Sequence, residues 1–361
     1  MYKKDYQYVI KILKGENINT KYLVKDWYSL LGFLEVNKLC GYFYNKCKEL
    51  NIALPKQIEA LLNKTYLYQK VKNKVLRTFI LKLSYELEIN HINYAFLKGS
   101  ILSNSSFNAN EDSFYKIGER VSNDIDILVS NVDLGKVEKI LKKLNFKQGY
   151  YDSNKNKIIP FSRKEIINRR MNRGETAPWV LKLTNAIVPF VEIDINLSFN
   201  ETAYDNLPCQ VLNNTICYKT INHDLIRSLE KYDFIIHLIV HAYKELSLTF
   251  MVKRNKDILL YKFLDIYLIL NGNIDLLILL EKIKKYKLEK EAYVVINTTS
   301  ILFNCDSLKH YLSNFPEIKK VYIKDYTNKK DYFFKKDVNE RILNYDNSKY
   351  LKEIEYEPSK R

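Results

Sequence analysis

Residues 96–129 read FLKGSILSNSSFNANEDSFYKIGERVSNDIDILV, and their last six residues, DIDILV, decide the fold. Side chains alternate between the two faces of a strand, so the carboxylates of Asp124 and Asp126 share one face. The isoleucines and the valine share the other face, which we predict to be buried. Two neighbouring carboxylates repel each other when they lose water, and a divalent cation between them removes that repulsion. Oxygen ligands at this spacing suit Mg²⁺, so phosphoryl or nucleotidyl transfer is the first hypothesis.

The beginning of the same stretch carries a second feature. An apolar run from Tyr94 to Leu97 meets Gly99 and Ser100, which predicts a strand that enters a tight turn. A glycine leaves no Cβ in the way of a phosphate group, and a serine at a helix start adds a hydroxyl donor. We therefore predict a phosphate-binding turn here. The polar residues 103–120 are predicted to form a helix end and a loop.

A second pair of acidic residues follows in NAIVPFVEIDINLSF, residues 185–199. The alternation predicts a strand with Glu192 and Asp194 on one face and apolar side chains on the other.

The composition limits the class of protein. With 361 residues, of which 47% are hydrophobic, the chain can bury cores for two domains. Its five cysteines form no CxxC pair, which disfavours a zinc site and a disulfide framework and indicates reduced thiols. The first residues carry charges within their apolar run, unlike a signal peptide, and no run approaches about eighteen uncharged apolar residues. We therefore expect a cytoplasmic protein with no membrane partner.

The net charge of +16 is compatible with nucleic acid, an acidic surface or a phosphorylated substrate as partner. Because Lys and Arg are spread along the whole chain, we interpret most of this charge as solvated surface with local functional clusters. One cluster lies in FSRKEIINRRMNRGE, residues 161–175. It either binds a triphosphate or another anion, or forms a solvated helix face. No RNA-binding pattern and no evident DNA-binding module are present.

His237 and His241 lie four residues apart, which is a spacing found for metal ligands on a helix. The glutamate of an HExxH motif is missing, since Leu238 follows His237. Packing between helices is therefore favoured over a zinc site.

In their order, these motifs resemble those of the DNA polymerase β-type nucleotidyltransferase superfamily, whose core has an apolar residue, Gly and Gly or Ser, then Asp-apolar-Asp and a later third carboxylate. The matching features here are Gly99-Ser100, Asp124-Ile125-Asp126 and the Glu192/Asp194 pair. An N-terminal helical region, LKGS, an arginine before DIDILV, and later HAYKE and KFLDIYLIL make the chain similar to the bacterial family of uncharacterised nucleotidyltransferases. The likeness covers roughly residues 25–270.

The resemblance implies a metal site. Asp124 and Asp126 are expected to hold the Mg²⁺ or Mn²⁺ that bridges the nucleotide phosphates. A third carboxylate completes a second metal site and helps to deprotonate the acceptor hydroxyl. In many relatives this strand reads acid-apolar-His, which places Glu192 at the acid and Asp194 at the histidine. Asp194 is preferred, and Glu192 stays open as the alternative.

The resemblance also implies a nucleotide site. Gly99 and Ser100 are expected to contact the β- and γ-phosphates, and Lys98 and Arg120 to add positive charge near the triphosphate. The gap between Ser100 and Asp124 is longer than is usual in the superfamily. The loop in this gap is therefore enlarged or has a role with the substrate.

The fold implied is α+β, with a small mixed-sheet nucleotidyltransferase core flanked by N-terminal and C-terminal helical regions. Changes of periodicity agree with this order, because residues before 90 and from about 221 show helical spacing. From about residue 317 the periodicity is low, which predicts an extra helix or two and a frayed tail. The predicted segments are an N-terminal helical region at 1–90, a catalytic core at 91–205, a C-terminal helical domain at 206–320 and a charged C-terminal segment at 321–361.

The function implied is a Mg²⁺-dependent nucleotidyltransferase, with ATP or another NTP as co-substrate and pyrophosphate as product. AMP is the first choice of transferred group. The acceptor is a small molecule, a modified peptide, a protein or a tRNA. The alternative is a non-catalytic nucleotide- or partner-binding module, either a pseudoenzyme or a toxin–antitoxin component. The chain lacks GxxxxGKS/T and the kinase motifs, which disfavours transfer of the γ-phosphate.

Overall fold

The computed structural model of the chain describes residues 1–16, 24–105, 114–199, 207–220, 222–318, 321–325, 330–344 and 348–353. The helices are α1 Lys3–Lys14, α2 Trp27–Val36, α3 Cys40–Glu49, α4 Lys56–Ile89, α5 Gly99–Leu102, α6 Leu134–Lys143, α7 Arg163–Arg173, α8 Leu207–Leu212, α9 Lys231–Leu246, α10 Thr249–Val252, α11 Leu260–Leu270, α12 Leu276–Lys285, α13 Glu289–Phe303, α14 Lys309–Leu312 and α15 Val338–Ile342. Short 3₁₀ helices span Asp306–Leu308 and Ser348–Tyr350. The strands are β1 Tyr94–Phe96, β2 Ile125–Val129, β3 Lys147–Asp152, β4 Lys157–Pro160, β5 Trp179–Lys182, β6 Phe190–Asn196, β7 Ile216–Lys219, β8 Leu225–Ser228, β9 Ile323–Asp325, β10 Lys330–Phe334 and β11 Leu351–Glu353.

Contacts within the chain gather into two compact units. The sheet unit comprises residues 39–48 and 53–234, and the helical unit comprises residues 1–38, 49–52 and 235–361. Each unit therefore combines stretches that are far apart in the sequence. The division into four consecutive segments stays a prediction. Over the described ranges, no helix combines the length and the apolar character needed to cross a membrane.

The sheet unit contains a mixed sheet of eight strands in the order β4-β3-β5-β6-β2-β1-β8-β7. Its central strand, β2, is the DIDILV segment, which runs antiparallel to β1 and parallel to β6. All residues of β2 are buried, including Asp126 on its acidic face. Helices precede and follow the sheet strands along the chain. The predicted fold class, an α+β fold with a mixed sheet and flanking helical regions, is confirmed.

The helix α4 is the longest element of the sheet unit, with 34 residues. Its buried residues recur every three or four positions, as expected for one face of a helix. Most of them are apolar, but Gln69 and Asn73 interrupt the apolar stripe between Leu62 and Leu76. Two polar side chains are therefore buried at adjacent turns of one helix.

Two regions predicted as helical contain strands instead. Residues 225–228 form β8, which is parallel to β1, and α9 begins only at Lys231. After residue 317, the small sheet β11-β10-β9 and the short helix α15 stand where helices and a tail were predicted. Residues 354–361 of that tail lie outside the described residues. In the first region, the pairing of Ser228 with Phe96 joins residues far apart in sequence, which local periodicity does not reveal.

The helical unit packs aromatic rings and one buried ion pair. The rings of Tyr267 in α11 and Phe303 in α13 stack with centroids 4.7 Å apart. Arg341 donates to Asp257 at 2.9 Å, with both side chains buried. His237 is also buried, which agrees with the packing role favoured from the sequence. All five cysteines of the chain are free, as predicted.

Candidate functional site

The predicted carboxylates lie on one face of two neighbouring parallel strands. Asp126 on β2 is aligned with Asp194 on β6, and the residues on either side follow the same register. Because side chains alternate, Asp124 and Glu192 lie on the same face, two positions before Asp126 and Asp194. We call these four residues the acidic face. Both members of each predicted pair are thus brought together at the centre of the sheet.

The carboxyl groups of the acidic face are close together and shielded from water. Burial raises the pKa of Asp194 well above its ordinary value, and the charges of Asp124 and Asp126 raise it further. Burial, followed by the charge of Asp124, raises the pKa of Glu192 to about 7. The Oδ1 atom of Asp194 is buried and has no hydrogen-bond partner among the described residues. An anionic oxygen in this position is stabilised by a cation.

Glu175 is a further acid near this face that the sequence did not single out. Its charge contributes to the raised pKa of Asp194. It forms an antiparallel bridge with Asn196, which lies two positions after Asp194 on β6. The Nδ2 atom of Asn196 is buried and has no hydrogen-bond partner in the described part of the chain. No local signal predicts this acid, because the bridge joins residues 21 positions apart.

Lys98 contacts the acidic face directly. Its Nζ atom lies 2.8 Å from Oδ1 of Asp126, and both side chains are largely buried. Burial alone lowers the pKa of Lys98, but the charges and hydrogen bond of Asp126, together with Asp124 and Glu175, raise it above its ordinary value. The lysine is therefore an ammonium ion. Its predicted place near the triphosphate stays a prediction.

Gly99 lies against the segment that leads to β2. A Cβ atom added to Gly99 would collide with Oγ of Ser122 and with the guanidinium group of Arg120. From the sequence, the approach of a phosphate was the expected reason for a glycine at this position. Close packing against Ser122 and Arg120 is a second reason. The hydroxyl of the following Ser100 is buried and has no hydrogen-bond partner among the described residues. The O–H group of Ser100 can therefore donate a hydrogen bond to a bound ligand.

The two buried polar residues of α4 hold the same segment. The side-chain amide of Gln69 donates to Oδ1 of Asn73 at 2.5 Å and to the backbone carbonyl of Ser122 at 3.4 Å. The side-chain amide of Asn73 donates to the carbonyl of Arg120 at 3.4 Å. Sequence reasoning missed both residues, although their position within an apolar stripe was a readable signal.

The helix α3 also contacts the segment that leads to β2. Gly41 approaches the backbone of Gly118 and Glu119 so closely that a Cβ atom would collide with the carbonyl oxygen of Gly118. The side chain of Glu119 is buried and accepts from Nδ2 of Asn45 at 2.5 Å and from the backbone N–H of Lys116 at 2.7 Å. Residues 116–122 are therefore fixed by two helices before the chain reaches Asp124. Of the long predicted loop, residues 106–113 lie outside the described residues.

Two spaces that share lining residues adjoin this part of the sheet unit. A cleft of about 10 Å³ is lined by Gly99, Ser100 and Asp124, among others. It shares Asn73 and Asn104 with a larger cavity of about 270 Å³. The remaining lining residues of the larger cavity are Lys74, Arg77, Thr78, Leu81, Ile117, Asn222 and Asp224.

The larger cavity has a polar wall. Arg77 donates to Oγ1 of Thr220 at 3.1 Å and forms an ion pair with Asp224. The Nε atom of Arg77 is buried without a hydrogen-bond partner in the described ranges. Thr220 and Asp224 thus hold the guanidinium group of Arg77 at this wall.

The basic cluster on α7 is mostly a solvated surface. Arg163, Lys164 and Arg170 are exposed. Arg169 differs from them, because its guanidinium group packs over the ring of Phe161 at 4.5 Å and its charge opposes the raised pKa of Glu192. Of the described side chains in this cluster, Arg169 is the one that acts on the acidic face.

The acidic face suits a magnesium or manganese ion by its chemistry. Its donors are all oxygens, and Oδ1 of Asp194 is buried without a partner. In the described ranges, no group of three or more His, Cys, Asp or Glu side chains is already arranged to hold a metal ion. On the acidic face, this finding is consistent with the contact of Lys98 with Asp126, which occupies one of the oxygens that a metal needs.

The pKa of Glu192 predicts a pH dependence of stability in the absence of metal. The folded protein keeps this proton to about pH 7, whereas the unfolded chain loses it near pH 4.5. The folded state therefore binds more protons between these values, and the free energy of unfolding is expected to fall as the pH rises through this window and to level off above it. Urea unfolding in EDTA measures this slope, and Glu192→Gln is expected to reduce it.

Asp194 has a shift of the same sign, so part of the slope is expected to remain in Glu192→Gln. Equal slopes for the wild type and the variant would contradict the raised pKa of Glu192.

A family model described as an uncharacterised nucleotidyltransferase matches residues 24–304 of the chain. The matched range contains the acidic face, Lys98 and Gly99. It also contains the residues of α3 and α4 that contact residues 116–122. No curated protein and no solved structure matches the chain.

Proposed function

Because the chain belongs to this family of uncharacterised nucleotidyltransferases, we propose that it transfers a nucleoside monophosphate from an NTP, with ATP as first choice, to an acceptor and releases pyrophosphate. The observation that carries the proposal is the alignment of Asp126 with Asp194 at the centre of the sheet. One oxygen of Asp194 is buried there without a hydrogen-bond partner among the described residues. A divalent metal ion would supply positive charge between these two carboxylates.

Asp124, Asp126 and Asp194 would hold Mg²⁺ or Mn²⁺, which when bound would neutralise phosphate charge and favour attack by the acceptor hydroxyl on the α-phosphorus. The register supports Asp194 over Glu192 as the third carboxylate, because Asp194 lies beside Asp126 on the neighbouring strand. Glu192 lies two positions earlier on β6, near Asp124, and stays the alternative third carboxylate.

The polar groups around the turn would orient the triphosphate. The hydroxyl of Ser100 is buried in the cleft beside Asp124 and has no partner in the described part of the chain, so it can donate to a phosphate oxygen. Arg120 is buried behind Gly99, with its backbone fixed by Asn73. A fixed arginine adds positive potential without a loss of side-chain entropy on binding.

The larger cavity is where we place the acceptor. It shares the lining residues Asn73 and Asn104 with the cleft beside Asp124. Lys74 and Arg77 on its wall favour a polar acceptor with hydrogen-bond acceptors or an anionic group. This supports a small molecule or the end of a larger chain equally well.

A binding module without turnover is the second candidate. The observation in its favour is the ion pair of Lys98 with Asp126, which leaves the acidic face without a ready group of three metal ligands in the described ranges. A protein of this kind would bind nucleotide but form no product.

One experiment separates the two candidates. The full chain is incubated with Mg²⁺ and with ATP, GTP, CTP or UTP, together with pools of hydroxylated small molecules, peptides or tRNA. Pyrophosphate release and a gain of one nucleoside monophosphate in the mass of an acceptor are expected. A gain of one phosphate would indicate kinase chemistry, and metal-dependent nucleotide binding with no pyrophosphate from any pool would favour the binding module.

A further inference from the structure

The backbone at Lys98 has an unusual conformation for a residue with a side chain. Its φ of 48° and ψ of −122° lie in a region that glycine adopts readily and that strains other residues. This turn joins β1 to α5, and a glycine follows it directly. The chain nevertheless has a lysine at this position. A residue held in a strained conformation indicates that its side chain has a function there.

The side chain of Lys98 ends on the acidic face. Its ammonium group lies 2.8 Å from Oδ1 of Asp126, with 17% of the lysine side chain and 8% of the aspartate side chain exposed. Asp124 and Glu175 also act on this ammonium ion. The lysine is therefore the positive charge in direct contact with the aspartate that the proposed function assigns to the metal.

The ammonium group of Lys98 does not provide a partner for every carboxylate of the acidic face. Oδ1 of Asp194, on the neighbouring strand, stays buried and without a hydrogen-bond partner among the described residues. Burial, and after it the charges of the neighbouring carboxylates, keep the pKa values of Glu192 and Asp194 raised. A divalent ion reaching the two aligned aspartates would compete with Lys98 for the same oxygen of Asp126.

We propose that Lys98 is an exchangeable counter-ion of Asp126. It occupies this carboxylate while the protein is free of metal and releases it when the metal–nucleotide complex binds. The freed ammonium group then becomes available to the phosphates beside Gly99. This proposal rests on the proposed function for the identity of the metal site. It assigns Lys98 two successive contacts, first with Asp126 and then with the phosphates.

The test measures binding of Mn²⁺ alone, at one fixed pH and ionic strength, by the electron paramagnetic resonance signal of the free ion. Lys98→Met is expected to bind Mn²⁺ roughly tenfold more tightly than the wild type, because the competing cation is gone. The same variant is expected to bind ATP in the presence of Mg²⁺ several-fold more weakly. A permanent structural ion pair predicts no gain in Mn²⁺ affinity.

Lys72→Met is the matched control. Lys72 donates to Oδ1 of Asn123 at 2.8 Å and influences Glu192 by its charge. Its removal changes the net charge by the same amount as Lys98→Met. A gain in Mn²⁺ affinity of less than about twofold is expected, since screened interactions of exposed charges are weak.

A second variant keeps the test valid if Lys98→Met does not fold. Lys98→Gly removes the ammonium group and suits the positive φ, so it is expected to fold and to show the same gain in Mn²⁺ affinity. Unchanged or weaker Mn²⁺ binding in the folded Lys98 variants, or a gain of equal size in Lys72→Met, overturns the proposal. A gain in the Lys98 variants without pyrophosphate release by the wild type would retain this proposal and contradict the proposed function.

Discussion

Asp126→Asn is expected to lower the rate of pyrophosphate release by roughly a thousandfold, which corresponds to about 4 kcal/mol of transition-state stabilisation. The substitution keeps the shape of the side chain but removes its charge from the centre of the acidic face, beside Asp194. A neutral amide is a poor ligand for Mg²⁺ compared with a carboxylate. The measurement is the initial rate of pyrophosphate release at saturating Mg²⁺ and ATP with the identified acceptor.

Folding is expected to survive this change. The variant loses the ion pair with Lys98, but it also removes repulsion between Asp126 and Asp194, and the two effects on the metal-free protein oppose each other. Thermal unfolding in EDTA checks this. Asp152→Asn is the matched control, because Asp152 lies in the β3–β4 hairpin and accepts hydrogen bonds from Asn154 and Lys155. A folded Asp126→Asn that kept more than about a tenth of the wild-type rate would rule out a required ligand at this position.

Gly99→Ala is expected to reduce the free energy of unfolding by about 3 kcal/mol, near the upper end for overpacking of a buried site. The added methyl group meets Oγ of Ser122 and the guanidinium group of Arg120. Both side chains are buried, so neither can move into solvent without leaving its packing. Urea unfolding measures the change. A weaker affinity for ATP is expected to accompany it, because the turn beside Asp124 is displaced.

Gly135→Ala provides the comparison for this substitution. Gly135 lies in α6, and a Cβ atom at this position meets nothing within 4 Å. Removing a glycine from a helix is expected to stabilise the protein by up to about 1 kcal/mol. If both alanine variants changed stability equally, close packing at Gly99 would not be the cause.

The centre of the sheet was predictable because its signal is local. Alternation within DIDILV and within VEIDIN identified two strands and placed both pairs of acids on defined faces, and the register of β2 with β6 agrees. The order of motifs then led to the family, which the match over residues 24–304 confirms. Polar and apolar side chains that alternate on a strand carry this information in a few consecutive residues.

The surroundings of the site were not predictable in the same way. Glu175 reaches the acidic face through a bridge to Asn196, and Lys98 reaches Asp126 only because β1 and β2 are antiparallel neighbours. Neither relation has a local pattern. The strand β8 was mistaken for helix, although it pairs with the nearby strand β7 as well as with the distant strand β1.

The contacts of α3 and α4 with residues 116–122 limit how proteins of this family can be divided into fragments or recombined. The strands with the acids come after residue 90, but Gly41, Asn45, Gln69 and Asn73, which fix the approach to them, come before it. A fragment limited to residues 91–205 therefore lacks part of its own scaffold. An exchange of the acidic strands between relatives has to carry α3 and α4 with it, so that the smallest transferable module is larger than the sheet.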